Sequence, residues 1–103
     1  MIKINDNTYQ KFISDGNKIK IIKLGAKWCQ PCMSSVQPCT ELSEELKDKV
    51  EIAELDIEES PSTATMLNCR SVPYFLKISN KQVVSEQVGW GGKEKLKAWI
   101  LSN

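Results

Sequence analysis

The segment Ala26-Lys27-Trp28-Cys29-Gln30-Pro31-Cys32 decides the fold of this chain of 103 residues. The residues before it include an apolar run that predicts a strand buried on both faces, namely Ile19, Ile21, Ile22 and Leu24. The residues from the second cysteine onward repeat at steps of four, three, three and four, which is one face of a helix: Cys32, Val36, Cys39, Leu42 and Leu46. The two cysteines therefore lie where a buried strand turns into a long helix.

This position gives the two cysteines a chemical advantage. A cysteine at a helix N-terminus faces unpaired backbone N–H groups and the positive end of the helix dipole, which favour the nucleophilic thiolate. Cys32 follows Cys29 by one helical turn, close enough to attack a mixed disulfide on it. Pro31 suits the first turn, where its missing N–H costs nothing. The pattern predicts either redox chemistry or a metal half-site.

The composition excludes several other kinds of site. The chain has no histidine, which removes Ser-His-Asp catalysis, Cys-His catalysis and histidine-bound zinc. Its net charge of +1 gives no sign of a nucleic-acid or anionic-membrane partner. The first residues lack the apolar core of a secretory signal, and no apolar run is long enough to cross a bilayer. We therefore expect a cytoplasmic protein, where thiols are mostly reduced.

Structural zinc is the alternative interpretation of the cysteines. A site made of cysteines alone needs four thiolates, and Cys39 and Cys69 are the other two in the chain. The spacing lacks a second C-x-x-C, and Cys39 lies about 10 Å along the helix from Cys32. We therefore expect no metal site. Cys39, on the apolar helix stripe, is expected to be buried, whereas Cys69 is left open between a structural and an accessible thiol.

The other elements predict the order β-α-β-α-β-α-β-β-α. They are an edge strand near Ile2 and Ile4, a helix over Thr8–Ser14, a strand from Val50 to Ile57, a helix with Ser60 as its N-cap and Pro61 at its first position that runs to about Leu67, strands Tyr74–Ile78 and Val83–Val88, and a closing helix with Leu96, Trp99 and Ile100. Strands alternating with helices predict one α/β domain over residues 1–103, with a central mixed sheet flanked by helices on both faces.

With this order, the chain resembles the thioredoxin family over nearly its whole length. The Trp-Cys-x-Pro-Cys segment of that family is matched by residues 28–32, its cis-proline by Val72-Pro73 and the glycine after its last strand by Gly89. The resemblance implies the thioredoxin fold and the role of a protein disulfide reductase or electron carrier. Cys29 would be the exposed nucleophile and Cys32 the resolving cysteine. The redox-active Cys29–Cys32 disulfide would need no further cofactor.

The resemblance also implies partners and a substrate groove. The partners would be thioredoxin reductase and disulfide-containing proteins, and the chain itself is expected to be a monomer. The backbone of Val72 would pair with the substrate chain as an added strand. The other expected groove residues are Trp28, Gln30, Pro31, Pro73, Tyr74, Gly89 and Trp90. Tyr74 would add an aromatic contact, whereas Trp90 is left open between widening the groove and packing back onto the protein.

Two charged positions depart from the family. Most thioredoxins have a buried aspartate six residues before the first active-site cysteine and a lysine twenty-two residues after the second, where this chain has Lys23 and Glu54. We hypothesise that they form a partly buried pair behind Cys32, in which Glu54 transfers protons and Lys23 favours the thiolate. The alternative is that Lys23 extends to solvent and Glu54 is an ordinary surface carboxylate.

Three smaller points remain from the sequence. Gln30 replaces the glycine usual between the cysteines, at a position that helps to set the redox potential. The helix-kinking proline is displaced by one residue, to Pro38, so a kink is still expected. Two alternative functions stay open: a disulfide oxidase or isomerase of the same fold, and a non-catalytic docking module.

Overall fold

Five strands form one mixed sheet within residues 1–102, the part of the chain that the computed structural model describes. In chain order the elements are β1 (Ile2–Lys3), α1 (Tyr9–Ser14), β2 (Ile19–Gly25), α2 (Gln30–Ser34), α3 (Val36–Glu45), β3 (Val50–Asp56), α4 (Pro61–Met66), β4 (Tyr74–Ser79), β5 (Gln82–Val88) and α5 (Lys93–Leu101). The predicted α/β class is confirmed. Among these residues no helix has the length and apolar character that a membrane crossing requires.

The sheet is built around β2, with the order β1-β3-β2-β4-β5. β2 runs parallel to β3 and antiparallel to β4, and the β4–β5 hairpin is antiparallel as predicted. Asn80 and Lys81, both at positive φ, form its tight turn. In the β2–β3 register, Lys23 lies directly opposite Glu54. The sheet thus brings together two charged residues that are far apart in the sequence.

Alternation along β2 divides the core into two layers. Ile22 and Leu24 face the cluster covered by α1 and α4, whereas Ile21 faces the cluster covered by α3 and α5. Because successive strand side chains point to opposite faces, Lys23 and Gly25 lie on the same face as Ile21. The helix that begins at the two cysteines lies on that face, so Lys23 and Gly25 are positioned behind Cys29 and Cys32.

The helix that follows the cysteines is divided in two at Ser35. α2 ends at Ser34, α3 begins at Val36, and the backbone N–H of Ser35 is shared between the regular helical partner, the carbonyl of Pro31, and the carbonyl of Cys32 one residue nearer. Pro38 lacks the N–H that would bond to the carbonyl of Ser34, and its ring crowds that carbonyl. The helix is thus interrupted one turn before Pro38, at the place where a kink is expected.

The start of α4 is stabilised by a residue from the other end of the chain. Ser60 occupies the predicted N-cap position, but its hydroxyl accepts from the backbone N–H of Asp6 at 3.2 Å. The Asp6 carboxylate in turn accepts from the backbone N–H of Thr63 at 2.8 Å, and its hydrogen bonds with Thr63 lower the pKa of Asp6. Asp6 therefore supplies the cap that a local reading assigns to Ser60.

Candidate active site

Cys29 and Cys32 form a disulfide at the start of α2. Cys29 is the N-cap residue, and its sulfur accepts a hydrogen bond from the backbone N–H of Cys32 at 3.2 Å. The two Cα atoms are 5.2 Å apart. One N–H of the first helical turn, that of Cys32, therefore points at the sulfur of Cys29, as the sequence predicts. This arrangement stabilises a thiolate on Cys29 when the disulfide is reduced.

The sulfurs of Cys29 and Cys32 have different neighbours. Sγ of Cys29 lies 3.7 Å from the carbonyl oxygen of Val72, whereas a Cβ placed on Gly25 would lie 3.3 Å from Sγ of Cys32. Cys29 is 5 % exposed and Cys32 2 % exposed. The expectation of an exposed Cys29 is wrong for the disulfide form, because Ala26, Ile57 and Val72 pack around both cysteines. Cys29 nevertheless lies on the side of the Val72 loop.

Several of the expected groove residues surround Cys29. The Val72-Pro73 peptide bond is cis, as expected, and the carbonyl of Pro73 accepts from the N–H of Gly89 at 2.9 Å. Gly89 has φ of +85°, a conformation that glycine adopts without strain. Trp28 is 67 % exposed beside the cysteines, and Gln30 and Pro31 are also exposed. Exposed side chains and the half-buried Val72 therefore lie next to Cys29.

Tyr74 and Trp90 are turned toward the interior to different extents. Tyr74 packs in the core layer under α1 and α4, and its hydroxyl donates to the carboxylate of Glu86, which raises the pKa of Tyr74 to about 12. The expected aromatic groove contact from Tyr74 is therefore wrong, because the side chain belongs to the core. Trp90 is half-buried, with its ring centroid 6.3 Å from that of Phe75. It packs back onto the protein and keeps one part exposed.

Lys23 and Glu54 form an ion pair behind the cysteines. Nζ of Lys23 lies 3.9 Å from Oε2 of Glu54, with the two side chains 4 % and 26 % exposed. Lys23 therefore does not extend to solvent, and the hypothesis of a partly buried pair is confirmed. Nζ of Lys23 would also lie 3.9 Å from a Cβ on Gly25. Because that position is 3.3 Å from Sγ of Cys32, the ammonium and the sulfur are at most about 7 Å apart.

A cavity of about 330 Å³ opens behind the cysteines, and we call it the rear cavity. Its walls include Lys23, Gly25, Cys32 and Glu54. Gly25 is the residue that the sequence reasoning missed here. Its available signal is a glycine at the end of a buried strand, where it often marks a close approach or a missing side chain. That signal does not reveal that the side chain packed closely against Gly25 is Cys32.

The two remaining cysteines are separate from this pair. Cys39 is fully buried as expected, and this burial raises the pKa of its thiol to about 11. The charges of Lys23 and Glu54 have weaker effects on this pKa, which Lys23 lowers and Glu54 raises. Cys69 is half-buried with its sulfur 3.5 Å from the carbonyl of Ser71, and burial raises its pKa as well. Among residues 1–102, no group of three or more His, Cys, Asp or Glu side chains could hold a metal ion.

Comparison with known proteins finds relatives of one family that match the chain over most or all of its length. The model of the family described as Thioredoxin matches residues 1–102. A thioredoxin of Buchnera aphidicola subsp. Acyrthosiphon pisum (strain APS) is 30 % identical over 103 residues, covering 100 % of this chain and 95 % of the relative. Thioredoxin C-2 of Corynebacterium nephridii is 31 % identical with the same coverage. Thioredoxin 2 of Chlorobaculum tepidum is 34 % identical over 84 residues, 82 % of this chain and 77 % of the relative.

Proposed function

Because this chain belongs to the thioredoxin family, we propose that it reduces protein disulfides by dithiol–disulfide exchange. The observation that carries the proposal is the disulfide between Cys29 and Cys32 at the start of α2, beside the half-buried Val72. A reversible disulfide at a helix N-terminus is the arrangement that such exchange requires. The cysteine pair and the relatives do not favour a disulfide oxidase or isomerase, or a docking module.

The proposed reaction uses the two cysteines in sequence. The Cys29 thiolate attacks one sulfur of the substrate disulfide, forms a mixed disulfide and releases the first substrate thiolate, which takes up a proton. Cys32, as a thiolate, then attacks Sγ of Cys29, closes the Cys29–Cys32 disulfide and releases the second substrate thiolate. One substrate disulfide is reduced and two protein thiols are oxidised. A 5.2 Å separation of the two Cα atoms supports the second step, since the bond closes without a change of fold.

The proposed docking site is the surface beside Cys29. The backbone of Val72 would pair with an extended substrate segment, which places the substrate disulfide near Sγ of Cys29. The carbonyl of Val72 lies 3.7 Å from that sulfur, which supports this orientation. Exposed or partly exposed residues on either side would contact the rest of the substrate, namely Trp28, Gln30, Pro31, Gly89 and Trp90. The side chain of Pro73 is fully buried, so Pro73 would act by holding the Val72 backbone in position. Tyr74 would act beneath this surface, by holding β4 against the core.

We further propose that the Lys23–Glu54 pair serves the proton transfers of Cys32. Glu54 keeps a quarter of its side-chain surface and lines a cavity that opens to solvent, so it can exchange protons with water. The Lys23 ammonium, at most about 7 Å from Sγ of Cys32, favours the thiolate that attacks the mixed disulfide. The two charges therefore have separate tasks: Lys23 stabilises the nucleophile and Glu54 moves the proton.

The family also supports a set of partners for this chain. A thioredoxin reductase would return the Cys29–Cys32 disulfide to the dithiol, and proteins with exposed disulfides would be the substrates. We propose that the chain acts as a single-domain monomer over residues 1–103, in the reducing cytoplasm, with no bound cofactor. A low overall charge and an ordinary apolar content support a freely diffusing electron carrier.

Trapping of the mixed disulfide tests this function. In a Cys39→Ala/Cys69→Ala background, Cys32→Ser should hold a disulfide-bonded substrate such as insulin covalently on Cys29, because the resolving thiol is gone. The matched Cys29→Ser variant should trap far less of it. The intact dithiol protein should reduce insulin catalytically when a reductant is supplied. Equal trapping by the two single-cysteine variants, or no reduction by the intact protein, would refute the proposal.

A further inference from the structure

Ser35 is a polar side chain that is fully buried at the interruption between α2 and α3. Burying a hydroxyl costs free energy unless the hydroxyl makes a hydrogen bond. The hydroxyl of Ser35 makes this bond locally, because it donates to the carbonyl oxygen of Cys32 at 2.7 Å. The interruption of the helix is therefore tied directly to the backbone of the second active-site cysteine.

The carbonyl of Cys32 takes its hydrogen bonds from Ser35. In a regular helix the backbone N–H of Val36, four residues further on, would donate to this carbonyl. Among residues 1–102, it accepts instead from Ser35, whose N–H lies at 3.2 Å and whose hydroxyl lies at 2.7 Å. The N–H of Ser35 is shared with the carbonyl of Pro31, so the hydroxyl supplies the shorter and undivided bond. Loss of the hydroxyl would leave the carbonyl of Cys32 weakly held.

The other polar backbone group of Cys32 is directed at Cys29. The N–H of Cys32 donates to Sγ of Cys29 at 3.2 Å, while its carbonyl accepts from Ser35. Hydrogen bonds on both sides of the Cα atom fix the orientation of the Cα–Cβ bond and hence the position of the sulfur. This orientation matters for the reaction, because the sulfur of Cys32 must be aligned with the disulfide bond that it attacks.

Packing fixes Cys32 from one side. Its side chain lies closely against Gly25, where an added Cβ would be 3.3 Å from Sγ. Met33 and Val36, on either side of Ser35, line the rear cavity, so the interrupted helix borders open space there. The strand therefore holds the side chain of Cys32, and the hydrogen bonds of Ser35 hold its backbone.

We propose that Ser35 is a positioning residue for the second step of the exchange, in which Cys32 attacks the mixed disulfide on Cys29. The inference rests on the proposed function, because it concerns one step of that reaction. In this step the Cys29–Cys32 bond forms, the bond between Cys29 and the substrate sulfur breaks, and the substrate thiolate leaves and takes up a proton. The hydroxyl of Ser35 stays on the carbonyl of Cys32 and keeps the sulfur of Cys32 aligned with that of Cys29.

The chromogenic disulfide DTNB separates the two steps of the exchange. In a Cys69→Ala protein, Cys29 releases the first coloured thiolate at a rate that rises with the DTNB concentration, and Cys32 releases the second at a rate that does not. Cys39 is kept because it is fully buried. Ser35→Ala should slow the second release by about two- to tenfold, the range that one hydrogen bond gives. The first release should change by less than about twofold.

Thr40 provides a matched control for Ser35. Its hydroxyl donates to the backbone carbonyl of Val36 at 2.9 Å, which is the same kind of bond within α3 and away from the cysteines. Thr40→Ala should leave both releases unchanged, and Ser35→Thr, which keeps the hydroxyl, should retain the second release within about twofold. An unchanged second release in Ser35→Ala would overturn the proposal. Equal slowing of both releases, equal slowing by Thr40→Ala, or a Ser35→Thr protein as slow as Ser35→Ala would overturn it as well.

The pH dependence of the second release separates positioning from a change in the acidity of Cys32. The rate rises as the thiol of Cys32 ionises and reaches a plateau when the thiol is fully ionised. Ser35→Ala changes no charged group, so it should lower the plateau and leave the midpoint in place. A shifted midpoint with an unchanged plateau would overturn the positioning role. Reduction of insulin by the parent protein is measured in parallel, and its failure would instead refute the proposed reductase function.

Discussion

Replacement of Lys23 by methionine should make the protein a stronger reductant. The ammonium lies at most about 7 Å from Sγ of Cys32, where it stabilises the thiolate of the reduced form and has no charge to stabilise in the disulfide. A unit charge at that distance contributes about 0.6 kcal/mol in water and about 2.4 kcal/mol at the effective dielectric of a protein surface. Loss of Lys23 should therefore shift the exchange equilibrium toward the disulfide by about three- to fiftyfold.

The assay is equilibration of the protein with glutathione redox buffers, with the oxidised fraction read by thiol labelling. The shift corresponds to a potential lower by about 15 to 50 mV, since a tenfold change in the equilibrium constant is about 30 mV. It should be full at pH values where Cys32 is a thiolate and should vanish at low pH, where the thiol is neutral. Glu54→Gln should move the equilibrium in the opposite direction, because it removes a nearby negative charge.

Lys20 provides a matched control for this experiment. Like Lys23, Lys20 is buried, lies on β2 and pairs with a glutamate of β3, in this case Glu51. Because Lys20 and Lys23 are three positions apart on the strand, their side chains point to opposite faces of the sheet. Lys20→Met should leave the glutathione equilibrium unchanged. An unchanged equilibrium in Lys23→Met, or an equal shift in Lys20→Met, would refute the assignment of Lys23 to the cysteine pair.

Three further outcomes follow from particular contacts. Glu54→Gln should alter the pH–rate profile of disulfide reduction, and an unchanged profile would exclude Glu54 from proton transfer. Asp6→Asn should lower the urea midpoint of unfolding at neutral pH. Because the pKa of Asp6 in the folded protein is lowered from its ordinary value of 3.8, the difference in midpoint between the two proteins should persist above pH 3.8 and disappear as the pH falls through the folded pKa. Cys39, with a pKa of about 11, should resist iodoacetamide in the native protein near pH 8 and react after unfolding; labelling of the native protein would contradict its burial.

Much of the fold was predictable because its elements carry local signals. The apolar run of β2, the Trp-Cys-Gln-Pro-Cys segment and the hairpin turn at Asn80-Lys81 each specify their structure within a few residues. The interruption of the helix was predictable from Pro38 alone, since the clash of a proline ring with the carbonyl four residues earlier is a local effect. The cap of α4 was not predictable in this way, because Asp6 reaches it across more than fifty residues.

The candidate site also has features that the sequence predicted and features that it did not. The sequence by itself predicted the reactive cysteine pair and its place at a helix N-terminus, since these depend on residue type and short spacing. Lys23 and Glu54 stood out only through the resemblance to the family, from which their charges depart. Only the tertiary structure decided that β2 and β3 place those charges 3.9 Å apart, that Tyr74 turns into the core, and that Gly25 lets the end of β2 pack closely against Cys32. The physical reason is that the register of distant strands and the packing of side chains between layers are set by the whole core, and no local pattern contains them.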